Sequence, residues 1–501
     1  MNLMRRVGID LGTTNTIACF VNEAGEAELL QFDKGRIGNR YLLPSCIAYD
    51  DSTGSFTVGS PALKIGESFP TSFLSDLKYH IGDDNEFFIG GQRITARDAA
   101  FYILKEVHDQ LRKKFPDETD FRAFVTVPAR FDTQPPRVAT REAAERAGFS
   151  IDPDHALTDE PIAAAIAYSS MMKNNETALV VDIGGGTFDL SLLRADGNGD
   201  HGISRLVPVG WGGDPHLGGN DVDELILSIL CKKVKDDRQT DLTHSPADMR
   251  YSESESRAAI KLRDEIRGIK EALYSGADGY CYIQDLLSGY DFECVITREE
   301  YINEMMNTHT GGKEPIAVRM QQAINDTFTR HGQQISSTAV VVVAGGMSQE
   351  ICLLEYLRST FGADRVIVPE DAIYLIAKGA AIANSDTDIR VDNIAYRSIG
   401  VLINNGADVD TIIQEGSFIN ENFSYTQTYT IGKGEHDLLI VTIVEYSGGF
   451  RSDNYSVIRE FEVPMTGLYR KRASITLNFT FSSDKILTVT DPEQRRFSAR
   501  L

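Results

Sequence analysis

Two short stretches of this chain carry residue types suited to holding phosphate groups. They are Asp10-Leu11-Gly12-Thr13-Thr14-Asn15-Thr16 and Asp182-Ile183-Gly184-Gly185-Gly186-Thr187-Phe188-Asp189. Glycine lets backbone N–H groups approach an anion, and threonine hydroxyls add donors. The apolar runs on either side of each turn read as strands, so both are β-hairpins rather than strand-to-helix phosphate loops. No GxxxxGK[ST] motif occurs, which excludes a P-loop. The first turn alone also suits a tight hairpin with a capping aspartate. Three successive glycines in the second are entropically costly, and a backbone that contacts a ligand accounts for them. Asp182, at a strand end, can orient a metal-bound water or take a proton.

A third Gly-rich element, Ala344-Gly345-Gly346-Met347-Ser348, joins an apolar strand to a helical pattern over Glu350–Phe361. That arrangement is expected to present helix N-terminal N–H groups to an anion or a sugar. Asp159-Glu160-Pro161 opens another helix over Ile162–Met171, where acids and proline also serve as ordinary helix-start residues. The two hairpin motifs echo each other at long range, which points to a duplicated pair of domains facing one another.

The elements that must position these turns follow two compositional regimes. Over 1–384, strand-like runs such as Phe124–Val127, Ala178–Val181 and Val340–Val343 alternate with helical patterns over Thr95–Phe115, Thr140–Ala147 and Arg257–Leu273. This is the signature of an α/β architecture. Polar residues mark a linker over 385–395, and 396–501 reads as short alternating strands (Thr428–Ile431, Leu438–Tyr446, Ser474–Phe481, Ile486–Val489). That spacing fits a β-sandwich.

The chain has 501 residues and a net charge of −23, which disfavours nucleic acid and anionic membranes as partners while leaving a local nucleotide pocket open. The six cysteines are scattered without CxxC or zinc spacing, so buried, reduced thiols are expected. The apolar run Ala339–Ala344 is far shorter than the ~20 residues that cross a bilayer. With no apolar signal core after Met1, a cytoplasmic location is the expectation.

Taken together, Asp10–Thr16, Thr126-Val127-Pro128-Ala129, Asp159–Tyr168, Asp182–Asp189, Asp214–Asp221 and Gly345-Gly346 resemble, in order, the heat-shock protein 70 family of the actin-like ATPase superfamily. The resemblance implies a two-lobed α/β actin-like ATPase domain followed by a C-terminal all-β, peptide-binding sandwich. It implies ATP/ADP as ligand with Mg²⁺ held through water by Asp10, Glu160 and Asp182. Gly12, Thr13, Thr14 and Asn15 would hold the phosphates from one side and Gly184, Gly185, Gly186 and Thr187 from the other. Lys78 would stand near the attacking water with Glu160, Asp182 and Thr187 as catalytic partners. Lys270, Tyr274, Gly345 and Gly346 would lie on the nucleoside side, and Pro128 and Pro161 would couple the nucleotide to the other domain. Peptide clients, a J-domain co-chaperone and a nucleotide exchange factor are the implied partners.

The sequence departs from the family on the nucleoside side, where Arg267, Tyr274, Met347, Gln349 and Glu370 replace Glu, Ser, Ser, Arg and Asp. Tyr274 can stack on a base in place of the lost arginine. The linker Asp388–Ile394 is half charged, Asn404-Asn405-Gly406 stands where the family has an apolar arch, and the sequence ends at Leu501 without the family's helical lid. The reading is therefore a lidless chaperone with slow ATP hydrolysis. The alternative is a nucleotide-gated scaffold with vestigial ATPase, and a sugar kinase of the same superfamily is disfavoured by the C-terminal sandwich.

Overall fold

Asp10 and Asp182 occupy equivalent places in two sheets of one design. The computed structural model describes residues 4–83, 85–128, 134–151, 157–169, 172–197, 203–243, 252–310, 312–383, 390–391, 395, 397–417, 423–431, 437–451, 454–465, 474–481 and 486–500. In the first lobe the strand order is Leu157–Asp159, Phe121–Val127, Arg5–Leu11, Asn15–Val21, Ala27–Leu29. In the second it is Val366–Ile367, Thr338–Ala344, Thr177–Ile183, Phe188–Gly197, Ile203–Asp214. In each sheet the strand that leads into the glycine turn pairs antiparallel with its hairpin partner and parallel with the strand on its other side. Leu11 faces Thr16 and Ile183 faces Phe188, so Gly12–Asn15 and Gly184–Thr187 close the two hairpins identically. The long-range echo in the sequence is thus a duplicated sheet.

The central strands are apolar on both faces because helices cover both sides. Val7, Ile9, Val125, Val180, Val181 and Val343 are fully buried. Helix Ala96–Lys114 starts at a capping box of Thr95 and Asp98, and helix Glu253–Tyr274 at one of Ser252 and Glu255. Helix Gln134–Arg146 begins earlier than its apolar pattern suggested, since Pro135-Pro136 is tolerated in a first turn. Helix Glu160–Tyr168 is shorter than expected, and 170–171 lie outside the described residues.

The lobes are joined where helix Glu160–Tyr168 packs on helix Leu375–Ala383, which in turn lies on strand Arg5–Leu11. This crossing is a backbone-to-backbone contact. A Cβ at Gly379 would stand 1.7 Å from the Ala163 carbonyl oxygen, and one at Gly8 would stand 2.1 Å from the Ala381 nitrogen.

The C-terminal strands form two four-stranded sheets, Asp408–Ile413, Ser398–Ile403, Leu438–Tyr446, Tyr455–Pro464 and Phe423–Thr430, Ser474–Phe481, Ile486–Thr490, Arg496–Arg500. Ile475, Leu477, Phe479 and Phe481 alternate inward along one strand and build the core with Ile443, Val463 and Val489. In the linker, Arg390–Val391 pairs in parallel with Arg205 and Leu206 at the edge of the second lobe's sheet. Asp388, Ile389, Asp392, Asn393 and Ile394 lie outside the described residues. Among the described residues no helix is long and apolar enough to cross a membrane.

Because the helix crossing has no room for a methyl group, Gly379→Ala is expected to cost about 1–3 kcal/mol. Chemical denaturation monitored by far-UV circular dichroism would measure the lowered midpoint, and an unchanged midpoint would contradict the packing.

Candidate active site

Lys78 lies in the one-turn helix Leu77–Tyr79 and is buried in contact with the Glu160 carboxylate. Asp10, near the end of its strand, accepts a hydrogen bond from Thr126 Oγ1 at 3.4 Å. Asp182 faces Asp189 across the second hairpin. Exposure is 8 % for Asp10, 2 % for Glu160, 4 % for Asp182 and 0 % for Asp189, so one ammonium is buried among four carboxylates.

Burial raises the Asp10 carboxyl, with Lys78 and Thr126 opposing. It lifts Glu160 to about 8 against the pull of Lys78, and it holds Asp182 well above the carboxylate range with help from Glu160 and Asp189. Desolvation disfavours the Lys78 ammonium, but Glu160 and Asp10 override it and raise its pKa. The cluster is short of positive charge and therefore suited to a cation. Among the described residues no three of His, Cys, Asp or Glu are placed to hold a metal ion directly.

The helix-start reading of Asp159-Glu160-Pro161 holds for the position of Glu160 and Pro161 in the first turn but not for side-chain capping. Asp159 makes no side-chain cap and instead forms a buried ion pair with Arg137, while Glu160 turns to Lys78. Pro161 sits in the first turn of that helix.

The two glycine turns meet across the lobes. A Cβ at Gly185 would fall 1.8 Å from Thr14 Oγ1, and one at Gly186 would fall 1.9 Å from the Tyr79 hydroxyl. Tyr79 donates to the Gly186 carbonyl at 2.6 Å. Asn220 Nδ2 donates to Asp76 Oδ1 at 3.1 Å, a second bridge between the lobes. The carbonyls of Gly184 and Gly185 accept from the Gly219 and Asn220 N–H groups at 3.0 and 2.7 Å, which fixes the second turn to the start of helix Gly219–Arg238. Thr187 is half-buried and its carbonyl accepts from Gly184.

Gly345 adopts φ +89° and lies against Asp182, whose Oδ1 would stand 2.6 Å from a Cβ there; Gly346 beside it is exposed. The expected anion site at the following helix is not formed. The buried Glu350 caps helix Ile351–Phe361 itself and accepts from the Cys352 and Leu353 N–H groups at 3.1 and 2.6 Å. A carboxylate in that position repels an anion.

Lys270 Nζ is paired with Asp223 at 2.5 Å, and the Tyr274 hydroxyl lies 3.3 Å from Met347 Sδ. Neither lines the open cleft of about 410 Å³ that begins at Thr13 and Thr14 and runs past Arg36, Asp223, Arg263 and Arg267. Sequence reasoning missed Tyr79, Asn220, Arg137 and Arg36. Tyr79 was signalled only by its place beside Lys78. Arg36, whose Nε donates to Asn15 Oδ1 at 2.5 Å, sits on a loop without periodicity. Burial and the facing Arg267 hold its pKa below the usual value.

The raised carboxyls make folding pH-dependent. A carboxyl whose folded pKa exceeds its unfolded value binds more protons in the folded state, so stability is full below the unfolded pKa and is lost as pH rises through the folded one. For Glu160 that window runs from 4.5 to about 8. The melting temperature of the ligand-free chain is expected to fall across this window and to fall less steeply in Glu160→Gln. Equal slopes in the two proteins would contradict the assignment.

A family model described as Hsp70 protein matches residues 85–498. The match covers the second glycine turn, Glu160, the Gly345 turn and nearly all of the sandwich, and leaves the first turn and Lys78 before its start. Members of that family are chaperones and ATPases that bind ATP with Mg²⁺, peptide clients and co-chaperones. The chain belongs to the Hsp70 family, as an actin-like ATPase fold followed by a β-sandwich.

Proposed function

We propose that this chain binds Mg²⁺·ATP between its two glycine turns, hydrolyses it slowly, and binds polypeptide through its sandwich. The observation that carries this reading is the buried cluster of Lys78, Asp10, Glu160 and Asp182 at the meeting point of the turns. The donor set fits a hydrated Mg²⁺, because four buried carboxyl groups surround one ammonium, and Glu160 and Asp182 are raised by burial first and by neighbouring carboxylates second. Asp10, Glu160 and Asp182 would hold the ion through water, and it would supply charge neutralisation on the phosphates.

Water attack on a phosphoryl group needs positioning and charge stabilisation more than covalent help. Gly12–Asn15 and Gly184–Thr187 offer N–H and hydroxyl donors from opposite sides. Lys78 brings positive charge next to the attacking water, and Asp182 and Thr187 orient that water. The cleft past Thr13 and Thr14 leaves space for the nucleoside. Domain boundaries at 1–384, 385–395 and 396–501 accompany this division of labour. In the sandwich, Leu438 and Ile440 are 44 % and 56 % exposed, apolar surface of the kind that binds unfolded chain.

Single-turnover assays with Mg²⁺·ATP are expected to show hydrolysis that falls by about 100-fold or more in Lys78→Ala, the scale for loss of one electrostatic stabiliser. Nucleotide binding without turnover in the parent protein would sink the ATPase and leave a nucleotide-gated scaffold. A fluorescent unfolded peptide should be released faster when ATP is added, and an ATP-independent release rate would remove the coupling.

A further inference from the structure

Six cysteines are spread through the chain, yet two of them are direct neighbours across a hairpin. Cys281, on strand Gly279–Leu287, is the register partner of Cys294 on the antiparallel strand Tyr290–Ile296. Directly opposed residues have Cα atoms about 4.5–5.5 Å apart, and disulfides span about 4.4–6.8 Å. As directly opposed residues, the two have side chains on the same face of the hairpin. Cys281 is 0 % exposed and packs in the second lobe's core, whereas Cys294 is half-buried and open to small solutes.

The two sulfurs differ chemically. The Cys281 thiol, and then the Lys233 ammonium, hold Cys294 below the ordinary thiol value, with burial, Glu300 and Asp237 opposing. Lys233 itself is shared with Glu300 at 2.8 Å. Cys19 and Cys46 are pushed up to about 12 and Cys231 to about 11 by burial, and Cys352 rises too. An accessible, thiolate-prone cysteine beside a protected second thiol is the arrangement of a redox sensor with its resolving cysteine.

We propose that Cys281 and Cys294 form a redox-modification site, converted reversibly to a disulfide by a hydroperoxide. The Cys294 thiolate attacks one peroxide oxygen, the O–O bond breaks, and the alcohol leaves with a proton from water, which yields a sulfenic acid. The Cys281 sulfur then displaces hydroxide from Cys294, and its own proton leaves with that hydroxide as water. In sum, two thiols and one hydroperoxide give one disulfide, one alcohol and one water; the sulfurs are oxidised and the peroxide is reduced. A dithiol reverses the bond by exchange. The hairpin packs on helix Glu253–Tyr274, where a Cβ at Gly279 would meet the Ile269 side chain at 2.5 Å. The bond therefore braces the helix that lines the cleft with Arg267.

The test treats the purified full-length chain with equimolar hydrogen peroxide. The number of titratable thiols after unfolding is expected to fall from six to four, with a loss of two hydrogens in intact mass and one cross-linked peptide joining 281 and 294. Dithiothreitol should restore all six. In Cys281→Ser, Cys294 should instead gain oxygen atoms without a cross-link. Peroxide that oxidises another cysteine first, or that takes parental Cys294 to a sulfinic acid with no cross-link, would overturn the proposal. The parental peptide map decides this even where the variant fails to fold.

Discussion

The structure depends on how one buried ammonium is balanced against four buried carboxylates. Removing charges from water costs several kcal/mol per ion unless partners compensate. Lys78 compensates Glu160 directly and Asp10 and Asp182 at longer range. What remains is a surplus of carboxyl groups over cations where the two lobes meet, and burial raises their pKa values in the absence of a further cation. Every element around it serves to keep those side chains in place. Parallel strand pairing fixes Asp10 beside Thr126 and Asp182 beside Ala344, and helix Glu160–Tyr168 delivers Glu160. An ion and a phosphate chain, carrying opposite charges, suit such a site as a pair better than either does alone.

The same junction ties the two lobes to each other. Thr14 rests on Gly185, Tyr79 on Gly186 and Asp76 on Asn220. The second lobe's sheet continues to the linker strand Arg390–Val391, and the sandwich touches that lobe where Gly416 approaches Trp211. The second turn is thereby joined through one sheet to the segment that leads into the sandwich.

Much of this was legible in the residues. The two Asp-Gly-Thr turns, their hairpin character and the duplication could be read because strand periodicity flanks each turn and glycine marks close approach. The limits of the sandwich strands Leu438–Tyr446 and Ser474–Phe481 match the structure, the first as a β-rich apolar run and the second by its alternation. Other features depend on contacts between residues far apart in the chain. Arg137 capturing Asp159, Tyr79 reaching Gly186 and Glu350 capping its own helix leave no periodic trace, so ordinary helix-start chemistry and an anion site were read there instead. The cysteine pair was hidden for the same reason, because 281 and 294 become neighbours only when the hairpin register is known.

Hydrogen–deuterium exchange of the full-length chain, with and without Mg²⁺·ATP, tests the central claim most directly. If the phosphates lie between the turns, amides in 10–16 and 182–189 gain protection together, since one ligand bridges both lobes. Protection confined to one turn, or absent from both while nucleotide is bound, would contradict a shared phosphate site built on the Lys78 cluster.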